Sequence, residues 1–129
     1  MKVLGIDYGR SKIGLAVAEG PLAQPLSVLR VNSFEDALKK VEQVVQVEQV
    51  VQVVVGISEG EMGEEQRRFA QLLKEKTEAD IVLWDETLTT HDAQQVSIKS
   101  GQGQKKRREM EDAFAAAIML QSFLDDTAT

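Results

Sequence analysis

Apolar positions in the first quarter of the chain come as short runs parted by turn residues. Residues 2–8 are mostly apolar, with Asp7 as the interruption, and Ile13-Gly14-Leu15-Ala16-Val17-Ala18 follows just beyond Gly9-Arg10-Ser11. Two such runs joined by a short Gly-containing loop predict a β-hairpin. Pro21 and Pro25 then break the chain, and a third short strand is expected over residues 26–31.

The period changes at Ser33. Phe34, Ala37, Leu38, Val41 and Val45 recur at helical spacing, Ser33 is a good N-cap, and Asp36 stands three residues on in a capping-box-like pattern. The tetrad VVQV occurs at 44–47 and again at 50–53, which is too little for a solenoid. Because β-branched crowding favours extended chain, the text predicts a helix to about residue 48 and a buried strand over 50–57.

A loop carrying Gly56, Gly60 and Gly63 should lead to a helix over 64–77, with Phe69, Leu72 and Leu73 turned inward, and then to a strand over 81–84 that ends in Asp85-Glu86. Thr89 or Thr90 would cap a short helix to about 98. Residues 100–104, SGQGQ, form a flexible connection, and a last helix spans about 106–125. The centre of that helix, Ala113 to Leu120, is apolar almost all round and should be buried against the sheet. The order βββαβαβαα predicts an α/β fold. Its mixed five-stranded sheet would be antiparallel on one side and parallel on the other, with helices on both faces.

Composition narrows the chemistry. At 129 residues the chain is expected to be one domain spanning 1–129. Without cysteine there is no disulfide or thiolate site, and a single histidine excludes a site built on several imidazoles. The carboxylate at position 7 comes too early for a signal peptide, and no apolar run reaches a bilayer's thickness, so a cytoplasmic protein with no membrane partner is expected. The net charge of −6 argues against a nucleic-acid partner, but Lys105, Lys106, Arg107 and Arg108 segregate positive charge in one run, and site carboxylates would inflate the acidic total.

Three carboxylates stand where local structure does not ask for them. Asp7 interrupts the first strand, Asp85-Glu86 ends the fifth, and Asp112 precedes the alanine-rich part of the last helix. Carboxyl ends of parallel strands converge on the ligand crevice of such sheets. A cluster of carboxylates with only oxygen donors suits Mg²⁺ or Mn²⁺, and with it metal-dependent phosphodiester hydrolysis without a covalent enzyme intermediate. Each residue also has a plainer role. Asp7 could initiate the turn that follows it. One of Asp85 and Glu86 should be merely solvated, and position alone does not say which. Asp112 could cap a helix or pair with Arg108, and Lys105–Arg108 could be a solvated face. His91 reads as surface and Trp84 as core; the three glycines lack a following Walker lysine and read as an ordinary loop.

The blocks GIDYGRSKIGLAVAE, VVVGISEGEMGEEQRRFAQLL, VLWDETLTT and MEDAFAAAIMLQSFLD, in this order and at these distances, resemble the YqgF/RuvX family of pre-16S rRNA nucleases, also described as Holliday-junction-resolvase-like. The likeness covers essentially the whole chain and implies a ribonuclease H-like fold. It implies that Asp7, Glu86 and Asp112 are the catalytic and metal-binding acids, choosing Glu86 over Asp85. It also implies maturation of the 5′ end of the 16S rRNA precursor as the function. Lys12 and Lys105 to Arg108 are the candidate nucleic-acid contacts. The alternatives are branched DNA as substrate, which calls for a symmetric homodimer, and a non-catalytic RNA-binding adaptor. The chain departs from the family pattern at Thr87, where arginine is usual, at Lys12, where arginine is common, and at Ser58, Glu59 and Glu61 after the fourth strand.

Overall fold

The computed structural model describes residues 1–86 and 109–127. Its elements are β1 (Lys2–Tyr8), β2 (Lys12–Ala18), β3 (Gln24–Arg30), α1 (Phe34–Glu48), β4 (Val50–Ile57), α2 (Gly60–Lys76), β5 (Asp80–Asp85) and α3 (Glu111–Thr127). The five strands form one sheet in the order β3-β2-β1-β4-β5. β2 is antiparallel to β1 and to β3, while β4 runs parallel to β1 and β5 parallel to β4. The mixed sheet expected from the sequence is therefore present, and β1, β4 and β5 deliver their carboxyl ends to the same edge.

Side-chain alternation gives the sheet two unlike faces. Leu4, Ile6 and Tyr8 of β1, Ile13 and Leu15 of β2, and Val53, Val55 and Ile57 of β4 pack under α1 and α2. The opposite face is shallower: Ala16, Ala18 and Val54 meet Ala116, Met119, Leu120 and Phe123 of α3. Small residues let α3 lie close. A Cβ built on Gly5 would come within 2.9 Å of the Leu120 Cβ.

Local signals explain the element ends. Ser33 caps α1, its Oγ accepting the Asp36 N–H at 3.0 Å, and the Asp36 carboxylate accepts the Asn32 N–H at 3.0 Å, one residue earlier than in a standard capping box. The repeated tetrad is divided by Gln49, which takes the left-handed conformation (φ 55°, ψ 47°) and closes α1 with its N–H on the carbonyls of Val45 and Gln46. One copy of VVQV is thus helix and the other strand, as β-branching predicts.

The glycine-rich stretch corrects the sequence reading. Gly56 lies inside β4, and α2 begins at Gly60 rather than near residue 64, so Gly60 and Gly63 are helical rather than loop residues. Gly60 enters the helix at φ +77°, and a Cβ on Gly63 would collide with the Ser58 carbonyl, so a tight strand-to-helix junction needs both. β3 starts at Gln24 and includes Pro25, two residues ahead of the expected start. It is an edge strand, where a missing N–H is tolerated. α3 runs to Thr127, two residues past the expected end. The expected helix up to 98 with Thr89, Thr90 and His91, the 100–104 segment, Thr87, and the basic run Lys105, Lys106, Arg107 and Arg108 lie outside the described residues. Among the described residues, no helix is long and apolar enough to cross a membrane.

Candidate active site

The site is built by strand parity and register. On β1, Asp7 falls between Ile6 and Tyr8 and so faces α3, opposite to its neighbours. Asp7 pairs with Gly14 of β2 in the antiparallel ladder. On the other side of β1 stands β4, whose Gly56 pairs with Trp84 of β5. Val82 and Trp84 pack toward α3, so Glu86, two residues on, continues that face, while Asp85 belongs to the other. Position alone left the two carboxylates open and the resemblance favoured Glu86; the alternation sets Glu86, and not Asp85, on the face of Asp7. It is visible in the packing as well: a Cβ added to Gly56 would stand 2.8 Å from the Glu86 Oε1.

The third acid arrives on α3. A Cβ on Gly14 would overlap the Asp112 backbone carbonyl, so the first turn of the helix rests directly on β2 beside Asp7. Glycine in a strand interior marks such close approaches. Gly14 and Gly56 thus belong to the site, one under Asp112 and the other under Glu86, although the sequence reading assigned neither a role.

The electrostatics show how closely the acids are crowded. Asp7 is raised to about 7, first by burial, then by the charges of Glu86 and Asp112 and by its hydrogen bond to Glu86. Glu86 is raised as well, chiefly by burial, and the hydrogen bond with Asp7 works in the opposite direction. These directions describe one arrangement: the protonated Asp7 carboxyl donates to the Glu86 carboxylate. Asp112 turns instead toward Lys12, with 4.0 Å between Oδ2 and Nζ and both side chains well exposed. Lys12, a candidate nucleic-acid contact, is therefore at the rim of the same crevice. Among the described residues, no three carboxylate or imidazole side chains are gathered closely enough to hold a metal ion, and Asp7, Glu86 and Asp112 do not converge as a trio. The donor chemistry nevertheless fits a dication. Every group is a carboxyl oxygen, and a positive charge between Asp7 and Glu86 would relieve the repulsion that now retains a proton.

Behind the site, on the α2 side, lies a second polar network. The Tyr8 hydroxyl donates to Glu65 at 2.7 Å, and the Arg10 Nε donates to the other Glu65 oxygen at 3.1 Å. Tyr8 is pushed up by burial and by that bond, and Glu65 is lowered, with the Tyr8 hydrogen bond as the main cause. Gln66 accepts from Ser58 and donates to the Tyr8 carbonyl. Sequence reading missed Glu65 and Gln66, because a polar side chain inside an amphipathic helix gives no sign of what it meets.

The whole chain has close counterparts. The family model described as RuvX, Holliday junction resolvase, matches residues 1–126. The chain belongs to the RuvX family. RuvX-family relatives carrying the name "Putative pre-16S rRNA nuclease" include one from Thermoanaerobacter pseudethanolicus, 34% identical, with 97% of this chain and 96% of the relative covered. Another, from Caldanaerobacter subterraneus subsp. tengcongensis, is 37% identical with the same coverage. The fold of this RuvX-family chain is shared with Thermus thermophilus RuvC bound to a Holliday junction substrate, at TM-score 0.65 and 14% identity, covering 98% of this chain and 96% of that one. Fowlpox virus Holliday junction resolvase is similar at TM-score 0.68 and 9% identity, covering 98% and 99%. These likenesses fix the ribonuclease H-like architecture, and family membership fixes the reaction class: the protein is a hydrolase of phosphodiester bonds.

Proposed function

We propose that Asp7, Glu86 and Asp112 are the catalytic acids of a divalent-metal-dependent nuclease whose substrate is the small-subunit ribosomal RNA precursor, cut to mature the 5′ end of 16S rRNA in a bacterial cytoplasm. The observation that supports the site most strongly is the meeting of Asp7 and Glu86 across Gly56. Asp7 is buried beside Glu86, and that burial first, then the repulsion of the neighbouring carboxylates, keeps its proton on up to about pH 7. A fold gains no stability from that repulsion, and such perturbed acids mark functional clefts. The relatives' shared name supports the RNA substrate.

Asp7 and Glu86 would hold the metal, with Asp112 as the third donor. Mg²⁺ or Mn²⁺, when bound there, supplies Lewis-acid charge for a phosphate oxygen and acidifies a water for attack. The chain's own work is to present its oxygens in the ionised form, so Asp7 must release the proton it shares with Glu86. Burial on the α3 side limits bulk water around Asp7, and Lys12 at the rim sets a cation where a phosphate of the substrate strand would pass.

The family description favours a second reading, branched DNA, which calls for a symmetric dimer to cut two strands at matching positions. A paired assay decides. The protein meets an end-labelled 16S precursor fragment and a four-way DNA junction, each with Mg²⁺ or Mn²⁺, beside Asp7→Asn. Cutting of the RNA alone, lost in the variant, is expected. Cutting of the junction alone moves the substrate to DNA. Cleavage that survives Asp7→Asn overturns the site. RNA bound but uncut leaves a non-catalytic adaptor.

A further inference from the structure

We infer that Gln66 is a positioning residue for the acidic pair: its buried side-chain amide links β1 to β4 beyond the end of their ladder and so sets the separation of Asp7 from Glu86. The inference rests on the site proposed above. The parallel ladder of these strands ends at the pair Ile6 and Val55, yet β1 continues to Tyr8 and β4 to Ile57. Asp7 and Gly56 lie one residue beyond that last pair, where the β1–β4 ladder gives out.

Gln66 supplies a link there. Its Oε1 accepts the Ser58 N–H at 2.7 Å and the Ser58 hydroxyl at 3.1 Å, while its Nε2 donates to the Tyr8 carbonyl at 3.3 Å. The amide therefore does what a peptide group would do, accepting from one strand's end and donating to the other's. Its orientation is fixed, because exchange of oxygen and nitrogen would set donor against donor and acceptor against acceptor. At 2% exposure it is the one buried polar side chain among the described residues. A buried amide in an apolar core is costly unless it is paired, and this one is paired to the Tyr8 carbonyl, next to Asp7, and to Ser58, two residues beyond Gly56.

The surroundings allow little slack. The Ser58 carbonyl lies against Gly63, where a Cβ would collide. Glu65, the preceding residue of α2, holds the Tyr8 hydroxyl and Arg10. α2 thus grips the residue after Asp7 by both its backbone and its ring. Widening the gap by an ångström would part Asp7 from the carboxylate above Gly56 without touching either acid, and misplacements of that size cost on the order of 10²-fold in rate.

The test uses Gln66→Met, which keeps volume and removes both polar arms, and Ser58→Ala, which removes only the hydroxyl. Val41→Ala opens a cavity in the same core, remote from the acids. With each variant shown folded at the assay temperature by circular dichroism, kcat, KM and the half-saturating Mn²⁺ concentration are measured on the RNA fragment. Gln66→Met is expected to lower kcat about 10- to 100-fold, to raise the Mn²⁺ requirement, and to leave KM within about twofold. Ser58→Ala should shift both in the same direction by less, and it carries the test if Gln66→Met does not fold. Val41→Ala should keep wild-type kcat. Wild-type kcat and Mn²⁺ requirement in the folded Gln66 variant, or in Ser58→Ala when it stands alone, overturn the inference, as does an equal loss in Val41→Ala. Asp7→Asn run in parallel separates the two levels. If it still cuts, the site itself is wrong; if it is inactive while Gln66→Met is normal, only the positioning role fails.

Discussion

Gly14 of β2 lies directly beneath the Asp112 backbone carbonyl, with no space between them for a single carbon. The helix that brings the third acid is thus seated on the residue paired with Asp7 in the hairpin. Gly14→Ala must push the first turn of α3 outward. Overpacking of this kind costs about 1–3 kcal/mol, and we expect melting temperature to fall accordingly. Cleavage should fall further than the stability loss explains, because Asp112 moves with the turn. Chemical denaturation and single-turnover cleavage on the same sample compare the two losses.

Asp7 makes the metal-free protein sensitive to pH with a definite sign. Its carboxyl holds a proton up to about pH 7 in the folded chain, against an ordinary value of 3.8 when unfolded. The folded state therefore binds the extra proton between those values, and stability is lost as pH rises through that window. Each tenfold in acidity is worth about 1.4 kcal/mol, so the penalty above pH 7 is a few kcal/mol at most. Asp7→Asn should raise the melting temperature of the metal-free protein at pH 8 and leave it nearly unchanged at pH 4. Adding Mg²⁺ should stabilise the wild type at pH 8 and not the variant, and chelation should reverse that gain. Identical pH profiles for the two proteins would contradict the burial of the pair.

Strand parity separates two adjacent carboxylates. Glu86→Gln should reduce cleavage by about 10²-fold or more, the range seen when a charge-stabilising group is removed from an active site. Asp85→Asn should stay within about threefold of wild type, because its side chain leaves the sheet on the other face. Equal losses would mean that the register of β5 at its carboxyl end is not the one described.

Lys12 offers a prediction about binding rather than chemistry. If a substrate phosphate passes it, Lys12→Gln should weaken RNA binding at low salt and lessen the slope of log affinity against log salt by about 0.7, the value for one phosphate on a single strand. A slope equal to the wild type would leave Lys12 as no more than the exposed partner of Asp112.

Much of the fold was legible because its signals are local. Ser33 and the helical spacing after it announce α1, and β-branched crowding locates the change to strand within a residue of Gln49. Asp7, Glu86 and Asp112 stood out as charges set against apolar runs. What the sequence concealed is how distant segments touch. Asp85 and Glu86 are equivalent by position, the family resemblance alone favoured Glu86, and the parity of β5 against α3 gives the physical difference between them. Gly14 read as one residue of a strand and Gly56 and Gly63 as loop glycines, whereas each is a place where another segment's carbonyl or carboxylate takes the room of a side chain. Gln66 looks like any polar residue in an amphipathic helix until the two strand ends it joins are seen.

The carboxylates come from residue 7, residue 86 and residue 112, carried by the first strand, the end of the fifth and the start of α3, the last described helix. α3 rests on β2, so a contact spanning most of the chain completes the crevice. A ribosome delivers that helix only after all five strands of the sheet have emerged. Without α3 the sheet presents the first two of these carboxylates and lacks the third, so the set of three exists only once the helix has docked on Gly14.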